Sequence, residues 1–150
     1  MTITMTSRLR RSAAIPMTLT VAVAPVLAPP AAATPSEQIS GITLSQTTVD
    51  GHDYVLREIT IAPGGSTGWH WHPGTVFGAV RQGTLTHNRA DCSLDGIYRA
   101  GDQMVEPGGP ENAHIGRNLG STPVVLQAVY LLPIDAPLVQ DAADPGCGYA

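Results

Sequence analysis

The run Gly64-Gly65-Ser66-Thr67-Gly68-Trp69-His70-Trp71-His72-Pro73-Gly74 decides how this chain is read. Glycines punctuate it at both ends, and Gly68 to His72 carries a polar residue at every second position, the alternation of a strand rather than a helix. Period two sends His70 and His72 to one side of that strand and Trp69 and Trp71 to the other. Two imidazoles a few ångströms apart either repel when protonated or form a metal clamp. By spacing alone, a pair of metal ligands and a pair of satisfied buried histidines stand level. The two tryptophans read as packing groups, facing a second sheet or a partner subunit.

On either side the pattern repeats as short runs between turn residues. Ile42-Thr43-Leu44 and Thr47-Thr48-Val49 end at Asp50-Gly51, and Tyr54 to Ile61 stops at Pro63-Gly64-Gly65. Val76 to Val80 is apolar throughout and turns at Arg81-Gln82-Gly83 into Thr84-Leu85-Thr86. Ile97 to Arg99, Gln103 to Glu106, Ala113 to Asn118 and Pro123 to Leu132 follow, divided by Gly101-Asp102 and Pro107-Gly108-Gly109-Pro110. Short, evenly spaced strands with 16 Gly and 13 Pro at their ends argue for an all-β sandwich or barrel. An immunoglobulin-like sandwich fits poorly, because it wants its cysteines on opposed inner strands and Cys147 lies in a terminal tail. One hundred and fifty residues hold one core. With one Phe, two Trp and four Tyr, that core must rest on Val, Ile and Leu.

These residues resemble the cupins. The first cupin motif runs Gly, five residues, His-x-His, three or four residues, Glu, six residues, Gly; Gly64, His70, His72 and Gly83 match it, with Val76 at the Glu position. The second motif is matched by Gly101, Pro107, Gly109, His114 and Asn118, with two extra residues before the histidine. The match spans Gly64 to Asn118. The segment from Gly68 through Gly74 and the tail Asp144-Pro145-Gly146-Cys147 also look like a group of small secreted actinobacterial cupins. The resemblance implies a double-stranded β-helix, or jelly-roll barrel, over residues 41–150, with one divalent metal held by His70, His72 and His114. Val76 cannot coordinate, so the implied site is three neutral imidazoles plus water, which suits Zn, Fe, Ni or Cu alike. Cupin-type thiol dioxygenases also work with three histidines and no carboxylate, and some cupins have lost metal and activity together. The resemblance further implies that homodimers are common.

Ahead of this domain, Arg8, Arg10 and Arg11 precede an apolar run from Ala13 to Pro30 and the small residues Ala31-Ala32-Ala33. That is the order of a secretory signal peptide, residues 1–33, followed by a flexible leader over 34–40. Pro16, Pro25, Pro29 and Pro30 divide the run into pieces shorter than the roughly 20 residues that span a bilayer, so no membrane association is expected after cleavage. Cleavage leaves five arginines against twelve acids, a net charge of −7. With no lysine and no basic cluster, nucleic acid is excluded as a partner. In an oxidising compartment Cys92 and Cys147 are expected to bridge rather than stay as free thiols or serve as ligands. Closing that loop contributes about 4 kcal/mol.

Glu111, three residues before His114, is the candidate acid or base, either beside a metal-bound water or as a substitute ligand; its bland reading is a solvated loop carboxylate. Asp102 and Glu106 are not expected as ligands. His87 is placed at the rim and His52 in solvent, while Phe77, Tyr98 and Tyr130 read equally as pocket or core. The expected function is a secreted, metal-binding, cupin-like protein with a small-molecule pocket, and as an enzyme a dioxygenase-like oxidoreductase. The alternatives are a non-catalytic module that binds a small molecule or metal, and a metal-free scaffold for protein interaction.

Overall fold

A computed structural model describes residues 32–149. The expected signal segment lies outside them, apart from Ala32 and Ala33. Ten strands account for the fold: β1 (Glu37–Val49), β2 (His52–Ser66), β3 (His70–Trp71), β4 (Thr75–Gln82), β5 (Thr84–Arg89), β6 (Leu94–Arg99), β7 (Gln103–Glu106), β8 (His114–Arg117), β9 (Val124–Pro133) and β10 (Gln140–Asp141). One 3-10 turn, Pro110–Asn112, precedes β8. No helix among the described residues is long and apolar enough to cross a membrane.

Every pairing is antiparallel. One layer runs β1-β2-β9-β4-β7 and the other β10-β3-β8-β5-β6. They join where the end of β2 reaches β8 at Ser66 and Arg117, giving the nearly closed, barrel-shaped sheet of a jelly roll. Strand β9 shows why the sequence closes this way. Val124, Leu126, Ala128, Tyr130 and Leu132 are buried while the residues between them are less so, the period-two pattern of a sheet with one dry face. Around them Ile61, Val80, Leu85, Met104, Val124 and Leu126 form one core cluster. Val55, Val76, Ala128, Tyr130 and Leu132 form a second.

Cross-strand register sets inward-facing residues of the first layer in rows. Glu106, Val76, Tyr130 and Val55 lie side by side, and the next row is Met104, Gly78, Ala128 and Arg57. Successive rows are two residues, or about 7 Å, apart along the strands.

Several local expectations shift. The runs at 42–44 and 47–49 merge into one strand, with irregularities near Glu37 and Thr43. β1 begins at Glu37, inside the segment read as a leader. β2 continues past Pro63 to Ser66, bending at Gly64, which takes a positive φ of 78°. Asp50 and Gly51, both at positive φ, make the two-residue hairpin that their sequence signals. Cys92 and Cys147 form a disulfide. It ties down a tail whose Tyr149 stacks on Trp69 at 6.0 Å and lies under the Arg117 guanidinium at 3.8 Å.

Candidate metal centre

Three of the four buried histidines come from two neighbouring strands. His70 on β3 stands directly opposite His114 on β8, and His72 follows β3 on the same side. The rings converge, with centroids 4.4 Å apart for His70–His114, 4.9 Å for His70–His72 and 5.2 Å for His72–His114. Each presents its Nδ1 to a backbone carbonyl: His70 to Gly68 at 2.9 Å, His72 to Leu138 at 2.7 Å, His114 to Asn112 at 2.8 Å. A carbonyl only accepts, so each Nδ1 carries the proton and each Nε2 turns a lone pair to the common centre. Burial, helped by the neighbouring His114 and His72, pushes His70 down to about 3, and burial lowers His114 as well. Both rings are neutral at neutral pH, the form a metal requires.

The structure adds a carboxylate that the sequence reading set aside. Glu106 Oε2 lies 3.1 Å from His72 Nε2 and 3.6 Å from His114 Nε2. Glu106 is the cross-strand partner of Val76, the position where the cupin motif carries its glutamate. Directly opposed residues on adjacent strands point the same way with Cβ atoms about 5 Å apart. The carboxylate has therefore moved sideways by one strand and still reaches the histidines. Burial alone would raise its pKa, yet contacts with His72 and His87, with His114 beside them, outweigh that and hold it well below the ordinary carboxylate range.

His87, expected at the rim, is also inside. It shares the inward face of β5 with Leu85, its ring sits 4.8 Å from His114, and Nε2 lies 3.4 Å from Glu106 Oε1. Its Nδ1 donates to Asp95 Oδ2 at 3.1 Å. That oxygen also accepts from the Tyr98 hydroxyl at 3.0 Å. Asp95 thus fixes the tautomer of His87 as the carbonyls do for the other three.

This donor set fits a divalent metal. His87 Nε2 and His114 Nε2 are buried without hydrogen-bond partners. An unsatisfied buried polar atom costs about 1–3 kcal/mol, and two of them aimed at one carboxylate call for a cation between. His72 Nε2, whose ring proton is already used on Leu138, faces Glu106 on the same terms. Metal bonds of about 2.0–2.2 Å imply neighbouring ligand atoms about 3.0–3.5 Å apart, close to the Glu106 contacts. His70, His72 and His114 form one group whose ligand atoms all lie within 4.8 Å of one another, and His87, Glu106 and His114 form a second.

The cluster opens into a cavity of about 280 Å³. Ile59, Leu85, Met104 and Leu126 supply apolar wall, Tyr130 approaches His72 edge-on at 5.5 Å, and Ser36 with Ile39, Ser40 and Gly41 of β1 completes it. Tyr130 therefore belongs to the pocket as well as the core. Glu111 does not line it: the side chain is exposed on the 3-10 turn, folded against Gly109 and Asn112, and the carboxylate in ligand position is Glu106. Asp102 accepts from the Arg99 amide in its turn. Among the remaining readings, Trp69 is fully buried and packs, His52 is exposed, and Phe77 is on the outer face.

Comparison with known proteins agrees with this architecture. The cupin-domain family matches residues 57–130, which supports membership of the cupin superfamily. No curated protein matches in sequence. Among solved structures, the polyketide cyclase RemF from Streptomyces resistomycificus is 21% identical with a TM-score of 0.58, covering 75% of this chain and 79% of that one. A double-stranded β-helix protein from Klebsiella pneumoniae is 20% identical with a TM-score of 0.55, covering 70% and 84%. Oxalate oxidase in complex with glycolate is 22% identical with a TM-score of 0.57, covering 69% of this chain and 55% of that one. Likeness at these identities is likeness of fold.

Proposed function

We propose that this cupin-fold chain is a secreted protein that holds one divalent metal on His70, His72, His114 and Glu106, with His87 beside them, and oxidises a small molecule in the adjoining cavity. The observation that carries the reading is the convergence of imidazole Nε2 lone pairs on a buried carboxylate at the wall of an accessible pocket. When bound, an Fe or Cu ion supplies Lewis acidity and one-electron chemistry toward oxygen. Around it the chain's own residues prepare the site. Carbonyls of Gly68, Leu138 and Asn112 lock three ring orientations. Glu106 offsets positive charge, and Ile59, Leu85, Met104 and Leu126 keep the pocket largely dry. Glu111, exposed on its turn, is out of reach of the site as an acid or base. Oxalate oxidase and a polyketide cyclase share this fold; the first is in keeping with oxidation, and the second marks the non-redox alternative.

Elemental analysis of the purified chain tests the metal, with one ion per chain expected and loss on His70→Ala. Oxygen consumption by Fe(II)-loaded protein with a panel of thiols and diketones tests the reaction. Full metal occupancy with no oxygen uptake across the panel would leave a binding module in place of an oxidase.

A further inference from the structure

Arg57 shares the inward face of β2 with Val55, Ile59 and Ile61, and the cavity wall includes it. It is the sole arginine lining that cavity among the described residues, in a row whose neighbours Ala128 and Gly78 are small. Ala128 leaves room beside the guanidinium, while the space over Gly78 is taken by the Met104 side chain, 3.1 Å from where a Cβ would stand. Among the described residues Arg57 makes no salt bridge, and its Nε is buried without a hydrogen-bond partner. The two carboxylates that also line the cavity are otherwise placed: Glu106 is taken up by the histidines, and Asp141 is exposed on β10. Gly41 on β1 lets the outer guanidinium nitrogen lie flat against the strand, since a Cβ there would sit 2.7 Å from Arg57 Nη2.

A half-buried guanidinium in a cavity wall is a recognition element for a planar anion, which it binds through paired N–H groups. We propose that the cavity takes a small organic carboxylate, its carboxylate on Arg57 and its other end directed at the histidine–glutamate cluster. Three further observations fix the class. The wall between the two poles is largely apolar, with Met104, Ala128 and Leu126, so the body of the molecule is hydrocarbon-like. Arg57 stands one row from Glu106, about 7 Å along the strands, and three strands away across the sheet, about 14 Å, so the two long side chains reach inward from opposite sides of the cavity and leave a small molecule's length between them. Charge also favours an anion: a divalent ion with one glutamate and neutral imidazoles leaves a positive site, to which Arg57 adds. Tyr130, in the Glu106 row, also lines the cavity.

The substrate class rests on the metal reading above, whereas Arg57 recognition does not, and the test separates them. Hexanoate and its neutral counterpart hexanamide are titrated into the full chain by calorimetry at pH 7.5, once with zinc and once stripped by chelator. Hexanoate is expected to bind about tenfold tighter than hexanamide in both forms, the scale of a charge-assisted hydrogen bond. In Arg57→Gln the preference should fall below about threefold, with Arg57→Lys retaining part of it. Equal affinities in the unmodified chain, or a preference untouched by Arg57→Gln, overturn the proposal; the first comparison needs no variant to fold. A preference present only with zinc and insensitive to residue 57 would assign the carboxylate to the metal, which also overturns it. A chain that takes up no zinc defeats the metal reading alone, because the stripped form still judges Arg57.

Discussion

Moving the carboxylate back across the sheet is a direct perturbation of the centre. Glu106→Val removes the anion that three Nε2 atoms face at 3.1–3.6 Å. Changes in the outer shell of a metal site already cost about 10–100-fold in affinity, so loss of this direct contact should cost at least about 100-fold, or roughly 2.7 kcal/mol. The compensating change is Val76→Glu, since Val76 is the cross-strand partner and faces the same way. The double variant Val76→Glu/Glu106→Val should recover zinc affinity to within about tenfold of the unmodified chain, the two Cβ atoms being only about 5 Å apart. A glutamate is longer than the buried valine it replaces, so some stability is lost, about 1–3 kcal/mol for an overpacked site. Competition with a chromophoric zinc chelator measures affinity, and urea unfolding of the same samples separates it from stability. If Glu106→Val binds zinc as well as the unmodified chain, the carboxylate is not part of the centre. If Glu106→Val loses zinc and the folded double variant does not regain it, the sideways relocation of the glutamate is wrong.

The metal-free chain should lose stability as pH falls below 6.5. His70 is held at about 3 when folded against an ordinary 6.5, so the unfolded chain binds the extra proton between those values and folding weakens by about 2 kcal/mol from pH 6.5 to 5; urea midpoints flat over that range would contradict a buried neutral ring. Below that range Glu106 acts in the same direction, because its depressed pKa gives stability that fades as pH drops through the folded value. His87→Ala should weaken zinc about tenfold, as should Asp95→Asn through the lost Nδ1 contact; unchanged affinity in both would place His87 outside the ligand set. Cys92→Ser should lower unfolding free energy by about 4 kcal/mol, from a loop of 55 residues in the chain-entropy picture. Tryptophan fluorescence should change with it as Tyr149 leaves Trp69, and an unaltered urea midpoint would refute the clamp.

Strand parity explains both what the sequence disclosed and what it hid. His70 and His72 could be paired because they lie in one short strand, where period two needs no partner. Their link to His114 needed the second motif, since the two strands meet only at one register position. The barrel itself was legible from turn spacing and alternation, most plainly in β9. Glu106 was hidden because Gln103-Met104-Val105-Glu106 contains one apolar residue of each parity, and alternation alone cannot say which turns inward. The sheet decides: Met104 is buried and Val105 is 58% exposed, and Glu106 follows Met104 into the centre. His87 follows Leu85 by the same rule, and Arg57 follows Val55 and Ile59. Each of these three polar residues is two positions from an apolar residue on the inward face, so one anchored neighbour per strand would have located it. The relocated glutamate asks for more, because its equivalence to Val76 exists only across the β4–β7 register. A motif written along the chain records ligands at fixed sequence intervals. The site needs only that a carboxylate arrive at one point in space, and a neighbouring strand can deliver it as well as the original.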